Sequence, residues 1–237
     1  DDDLYLGTNQ GLFVKGKEEK GNFELIEGTQ GQVWSLQIIK DELFCGHDMG
    51  TFIIKDKKIL YKLDVQGTWG VKFLDTNVLL QGNYSGLYIL EKGNKKWRIK
   101  NKIKGFDNSS RFFEIYTSNK IIVNHEYKGV FKLSIDKDYS RVIQIEQDTA
   151  MHKGVHSSLL TYHSDILYAF KGGVFRYTKE NIFVRDSILS DFFKEGSFTS
   201  GKLIFDQTNN ILWGFNKKNI KYVESNTIDG NARIKEI

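Results

Sequence analysis

Six times along the chain a short apolar run ends in a polar loop, a Gly or Asn and a new apolar run. The clearest copies are Leu4 to Phe13 (LYLGTNQGLF), Leu43 to Phe52 (LFCGHDMGTF) and Leu79 to Tyr88 (LLQGNYSGLY). Looser copies surround Gly129-Val130-Phe131, Gly173-Val174-Phe175 and Asn219-Ile220-Lys221. The markers Gly11, Gly50, Gly86, Gly129, Gly173 and Asn219 are 39, 36, 43, 44 and 46 residues apart. A period near forty, carried by strands rather than helices, predicts an all-β chain folded as a β-propeller.

Each period reads as four strands joined by tight turns, the signature of a β-meander. In the second, strand A is Val33 to Ile39, B is Leu43 to Gly46, C is Thr51 to Lys55 and D is Lys58 to Leu63. About six four-stranded blades follow, at roughly 1–28, 29–65, 66–105, 106–150, 151–195 and 196–237. The first unit opens directly on strand B at Leu4 and has no inner strand A. The chain is therefore expected to be a single propeller domain or a fragment of a larger one. Helical periodicity is nearly missing, apart from a short turn near Ser187 to Phe193.

The marker Gly starts strand C after a tight loop. Only Gly takes positive φ without penalty, and Asn is the next most tolerant residue. An aromatic follows two residues later in five copies: Phe13, Phe52, Tyr88, Phe131 and Phe175. That position is expected to wedge between adjacent blades.

Proline is absent, so turns must rely on Gly, Asn and Asp. The net charge is +4, and Lys57-Lys58, Lys95-Lys96 and Lys217-Lys218 fall in separate repeats rather than one basic block. This argues against nucleic-acid binding. The lone Cys45 lies mid-strand in an apolar run and reads as a small buried hydrophobe. No stretch approaches the apolar length of a membrane-spanning helix, so no membrane insertion is expected from this chain. The chain begins Asp1-Asp2-Asp3 without Met, which reads as a processed product or an excised piece.

In a propeller the B–C loops and the D–A loops open on one face. The B–C loops bring His47, Asp48, Asn83, Tyr84 and Glu126 there. The D–A loops and strand A starts add Trp34, Trp69, Arg111, Phe112, His152 and His156. These residues are the candidate ligand-binding set, because loops on a rigid scaffold are where binding groups concentrate. Trp34, Trp69, Phe112 and His156 hold roughly equivalent repeat positions, and as a partial ring they would stack on sugar rings. The competing reading packs them between blades.

Metal ligation has little support. His47-Asp48 and His125-Glu126 come from different blades, and the i, i+4 pair His152 and His156 sits in a loop. Asp136-Lys137-Asp138 starts like a calcium loop, but Arg141 stands where Gly is needed. No Gly-x-Ser-x-Gly elbow, P-loop or dinucleotide fingerprint is present. No catalytic residue, metal or cofactor is assigned.

The repeat core, strand A followed by apolar-apolar-x-Gly-x-x-x-Gly-Leu-aromatic, resembles the two-component regulator propeller repeat. Leu4-Tyr5-Leu6-Gly7-Thr8 and Leu79 to Tyr88 carry the likeness best, and Val33-Trp34-Ser35-Leu36 is similar to the family's strand A. The likeness decays toward the C-terminus, where the marker becomes Asn219. The resemblance implies the periplasmic sensor region of a membrane-anchored hybrid two-component or LuxR-type transcriptional regulator. It implies a non-enzymatic role, a small-molecule or oligosaccharide ligand, and a homodimer formed through the parent protein. The rival expectations are a secreted propeller enzyme acting on polysaccharide and a protein-interaction scaffold, since one fold hosts all three.

Overall fold

Strands that alternate with two-residue turns need backbone at positive φ in each turn, and this chain takes it from Asn, Asp, Lys and Gly. Consecutive positive φ values at Lys40-Asp41, Asp56-Lys57 and Asn94-Lys95 close three such hairpins. The marker glycines stand at the turns between strands B and C of their repeats. Gly11, Gly50, Gly86, Gly129 and Gly173 all have φ between 97° and 142°, and Asn219 lies outside the described residues. The computed structural model describes residues 3–17, 20–151, 157–170, 172–193, 203–215, 220–224 and 234–236.

Six small antiparallel sheets follow one another along the chain. The first has three strands among the described residues: β1 (Leu4–Gly7), β2 (Leu12–Lys15) and β3 (Glu24–Leu25). The second holds β4 (Val33–Ile39), β5 (Glu42–His47), β6 (Gly50–Lys55) and β7 (Lys58–Leu63). The third holds β8 (Thr68–Asp75), β9 (Val78–Asn83), β10 (Gly86–Gly93) and β11 (Lys96–Lys102). The fourth holds β12 (Phe112–Thr117), β13 (Lys120–His125), β14 (Gly129–Ile135) and β15 (Val142–Asp148). The fifth holds β16 (Ser158–Tyr162), β17 (Asp165–Phe170), β18 (Gly173–Tyr177) and β19 (Phe183–Arg185), followed by the helix α1 (Ser187–Phe192). The sixth holds β20 (Leu203–Asp206), β21 (Ile211–Phe215), β22 (Ile220–Glu224) and β23 (Ile234–Glu236). Strands pair in chain order within every sheet, so each sheet is a blade and the chain is a six-bladed β-propeller.

The chain divides into two compact units: residues 1–111 with 135–143, and residues 112–134 with 144–237. In each, the core lies between neighbouring sheets. In the first unit, Leu12, Val14 and Ile26 pack on Cys45, Phe52 and Ile54, while Phe44, Ile53 and Leu63 pack on Leu79, Leu90 and Trp97. In the second unit, Ile122 and Val130 pack on Leu159 and Tyr168, and Leu160 and Leu167 pack with Leu203 and Leu212. The middle strands β5 and β6 are buried on both faces, which is why they read as unbroken apolar runs. The outer strand β7 alternates exposed and half-buried residues. Each fully buried Leu or Ile contributes about 1.5–3 kcal/mol of transfer free energy. Phe52, one of the expected wedge residues, does sit in an inter-sheet core.

The helix α1 fills the gap between the fifth and sixth sheets. Asp186 caps it by accepting from the Leu189 N–H at 3.0 Å, and Leu189 and Phe192 enter the core. Ser190 Oγ donates to the Val174 carbonyl and accepts from the Val174 N–H, both at 2.9 Å.

Candidate functional site

In the first unit, loop backbones are laced together residue by residue. Val33 N–H donates to Thr8 O, Asp48 N–H to Gln32 O, Gly67 N–H to Asp48 O, Tyr84 N–H to Gly67 O and Ser110 N–H to Asn83 O. B–C loops therefore alternate with D–A loops on one side of this unit, as the repeat register predicts.

Two side chains at the same place in the repeat lock this lacing from beneath. His47 ends β5 and Asn83 ends β9, and each pairs across its turn with a marker, Gly50 or Gly86. Both are 0% exposed. His47 Nε2 lies 3.2 Å from the Thr29 carbonyl, and Nδ1 accepts from the Met49 N–H at 3.0 Å. Asn83 Nδ2 donates to the carbonyls of Val65 and Gln66 at 3.2 and 3.3 Å, and its Oδ1 accepts from Gln81 Nε2 at 3.0 Å. Gln81 Oε1 in turn accepts from Thr51 Oγ1 at 2.8 Å. The sequence reading placed His47 and Asn83 among ligand-facing groups. Burial and the satisfaction of their polar atoms by loop backbone give them an architectural job instead.

The imidazole of His47 is held below its ordinary pKa by burial, against the opposing pull of the Asp48 carboxylate 2.5 Å from Nδ1. His125 repeats the arrangement in the second unit. Its Nδ1 accepts from the Tyr127 and Lys128 N–H groups at 3.2 and 3.3 Å. Burial, then the Lys128 charge, lower its pKa. Glu126 sits half-buried in that same turn.

The groups left facing outward in the first unit form an aromatic cluster. The Trp34 and Trp69 rings have centroids 4.7 Å apart and are tilted by 48°. Tyr84 meets Trp69 edge-on at 5.1 Å, and its hydroxyl accepts from Trp34 Nε1 at 3.0 Å. Trp69 Nε1 donates to Ser109 Oγ at 3.0 Å, and the Arg111 guanidinium carbon lies 4.9 Å from the centroid of the Trp69 ring. A cation over an indole at that distance contributes about 0.5–1 kcal/mol at an exposed site. Trp34 and Trp69 are half-buried and Tyr84 is 37% exposed, so part of each ring faces water.

Tyr84 also walls a cavity of about 460 Å³ lined by Asp64, Val65, Gln66, Tyr84, Ser85 and Tyr88. Asp64 is paired to Lys62 at 2.7 Å, and Ser85 Oγ lies 3.2 Å from Tyr88 Oη. Gly67 makes room for this wall. A Cβ there would lie 2.2 Å from the Tyr84 ring, and its φ of +74° is one that other residues rarely adopt. The Asp48 carboxylate accepts from the Gln32 N–H at 3.3 Å, in the loop that precedes β4.

Of the candidate set, the structure thus brings together Trp34, Trp69, Tyr84 and Arg111. Phe112 does not extend an exposed ring of aromatics. It is half-buried and packs against the cluster of Ile122, Val130, Leu159 and Tyr168 in the second unit, the inter-blade packing that was the rival reading. His152 and His156 lie outside the described residues. Sequence reasoning missed Ser109 and Gln66, whose loop positions carry no signal until the strands pair, and it read Tyr88 only as an inter-blade aromatic, whereas the half-buried ring also lines this cavity. Among the described residues no group of three or more His, Cys, Asp or Glu side chains converges to hold a metal ion. No helix among them is long and apolar enough to cross a membrane.

No family model matches the sequence, and no curated protein matches it. Solved structures do match. The WD40 β-propeller domain of Doa1 is similar at a TM-score of 0.60 and 15% identity, over 98% of this chain and 74% of that one. The extracellular domain of BT4673 from B. thetaiotaomicron is similar at a TM-score of 0.62 and 16% identity. That protein is assigned in one structure as a one component system and in another as a hybrid two component system. The second structure matches at a TM-score of 0.60 and 18% identity. Both matches cover 98% of this chain but only 31% of the BT4673 chain. At such identities the likeness is one of fold.

Proposed function

We propose that this chain is a non-enzymatic, ligand-sensing propeller from a membrane-anchored two-component or LuxR-type transcriptional regulator, placed on the extracellular or periplasmic side. Its ligand is a glycan or another small extracellular cue, bound at Trp34, Trp69, Tyr84 and Arg111. The observation that carries this reading is the tilted Trp34–Trp69 pair, part of whose surface stays in water although both indole N–H groups already have partners inside the protein. Such rings have no further polar demand, so their remaining role toward a ligand is stacking. Sugar rings present apolar C–H faces that suit it. The neighbouring carboxylate, amide and hydroxyl groups of Asp64, Gln66 and Ser85 supply hydrogen-bonding partners for hydroxyl groups. The propeller repeat resemblance and the fold shared with the BT4673 extracellular domain support the sensor class.

The test is a thermal-shift and calorimetry screen of the chain against neutral and acidic oligosaccharides, with product analysis of every mixture. A binder that is recovered uncleaved and lost in Trp34→Ala and Trp69→Ala supports the reading. Cleavage of the binder moves the chain to the enzyme class. Silence across the screen, with both variants leaving signalling by the parent protein intact, overturns it.

A further inference from the structure

Tyr84 belongs to two surfaces of the first unit at once. It adjoins the Trp34–Trp69 platform, and it walls the cavity of about 460 Å³. That volume falls within the roughly 300–1,000 Å³ of small-molecule sites, which is room for a whole ring rather than a substituent. A sugar stacked on the platform therefore has a second compartment across a single phenol ring. The loop that walls it is fixed in place. Asn83 Nδ2 holds the Val65 and Gln66 carbonyls at 3.2 and 3.3 Å, the Gly67 N–H donates to Asp48 O at 2.8 Å, and Gly67 O accepts from the Tyr84 N–H at 3.1 Å. With the backbone engaged in this way, a ligand is read by side chains held at constant positions.

Those side chains still have hydrogen bonds to make. Asp64 gives Oδ1 to Lys62 Nζ at 2.7 Å, and its Oδ2 has no partner among the described residues. The Gln66 amide is exposed and makes no side-chain hydrogen bond to a described residue. Ser85 Oγ and Tyr88 Oη, 3.2 Å apart, use one hydroxyl proton between them and keep the other. Such a mixture of donors and acceptors matches ring hydroxyls, which both give and take hydrogen bonds. Charge differs between the two compartments. The platform has the Arg111 guanidinium beside Trp69, whereas the one charged side chain on the cavity wall is Asp64. From a distance Lys62 cancels Asp64, so the pair draws neither sign of ligand in. At contact, an anionic ring in the cavity meets the carboxylate oxygen that an uncharged ring would use as an acceptor.

Resting on the sensor reading, we propose that the site takes an uncharged oligosaccharide of at least two rings, one stacked on Trp34 and Trp69 and the next in the Tyr84 cavity, and that Asp64 excludes acidic rings from the cavity. The test titrates the chain by calorimetry with glucose, galactose and mannose, with their disaccharides, and with digalacturonate. The tightest neutral disaccharide is then compared with its two forms in which C6 of one ring or the other is oxidised to a carboxylate. The expected result is a neutral disaccharide that binds at least about tenfold tighter than its monosaccharide. One oxidised form, the one with its acid in the cavity, is expected to lose about tenfold or more, and the other to be tolerated beside Arg111. Asp64→Asn keeps the side-chain shape and is expected to restore the rejected form by about tenfold, less so at high salt. A purely structural role for Asp64 would weaken all forms alike. Gln66→Ala is expected to bring the disaccharide down toward the single sugar and leave the single sugar unchanged, whereas Trp69→Ala weakens both. No gain from the second ring, equal effects of the two oxidations, binding of digalacturonate alone, or an unrestored acid in Asp64→Asn overturns the proposal. In each of those cases binding that is lost in Trp34→Ala leaves the sensor reading standing. Silence toward every sugar also overturns the proposal, and the reading beneath it is then decided by signalling of the Trp34→Ala and Trp69→Ala parent proteins.

Discussion

The indole N–H of Trp34 donates to the hydroxyl of Tyr84 at 3.0 Å, joining the start of β4 to the β9–β10 turn fifty residues later in the chain. This bond ties two neighbouring blades at the point where the proposed ligand would sit. It fixes the tilt of one ring of the platform against the wall of the adjacent cavity.

Tyr84→Phe is expected to cost about 0.5–1.5 kcal/mol in urea denaturation, the net worth of one neutral hydrogen bond. Water can reach the freed Trp34 N–H, so the loss stays at the low end. Gly67→Ala is expected to do more to the site, because its Cβ would collide with the Tyr84 ring. Ligand affinity should fall further in Gly67→Ala than in Tyr84→Phe. An unchanged near-ultraviolet circular dichroism spectrum in Gly67→Ala would contradict this placement of the ring.

The marker glycines carry a second constraint beside their positive φ. A Cβ at Gly11 would lie 2.9 Å from Thr29 O, at Gly50 2.5 Å from Leu63 O, and at Gly86 2.4 Å from Phe106 O. The same repeat position thus meets a backbone carbonyl in three blades. Gly50→Ala and Gly86→Ala are each expected to destabilise by about 1–3 kcal/mol or more. Gly21→Ala, with nothing within 4 Å of the added carbon, serves as the control and should stay within about 0.5 kcal/mol of the parent.

Folding stability is expected to fall on mild acidification. The folded chain holds His47 and His125 below their ordinary pKa, mainly by burial. The unfolded chain therefore takes up protons first as pH drops through about 6.5. The stabilisation is complete above that value and declines below it, until the folded rings protonate as well. Urea midpoints measured across this window check the trend. A His47→Gln, His125→Gln double variant should show a flatter profile than the parent.

Cys45 is 0% exposed, and burial pushes its thiol up to about 12. The thiolate is the reactive form, so a disulfide reagent at about pH 8 should leave the native chain unlabelled. Labelling should appear only with the global unfolding transition. Labelling at the rate of a free thiol in native buffer would place the residue elsewhere than in the Leu12–Phe52 core.

The strands and turns were legible in the sequence because their causes are local. Apolar runs set β5, β9 and β13, and Gly50 and Gly86 mark turns that need positive φ. The adjacency of Trp34 and Trp69 was legible too, since equivalent places in neighbouring repeats come side by side. What the sequence could not show is which way a polar side chain at a strand end turns. His47 and Asn83 lie beside the outward-facing Asp48 and Tyr84, yet they point inward to satisfy carbonyls of a preceding loop. Phe112 likewise occupies the place of a platform aromatic, but joins the core beside Tyr168.

The backbone relay running from Thr8 through Gln32, Asp48 and Gly67 to Tyr84 has an evolutionary consequence. Each loop after the first donates to one neighbour and accepts from another. An insertion in the turn between β5 and β6 would break bonds on both sides at once. Diversification in this unit is therefore channelled into exchange of side chains at constant loop length. Positions 34, 48, 66, 69 and 84 are where relatives with different ligands should diverge, while the number of residues between them is conserved.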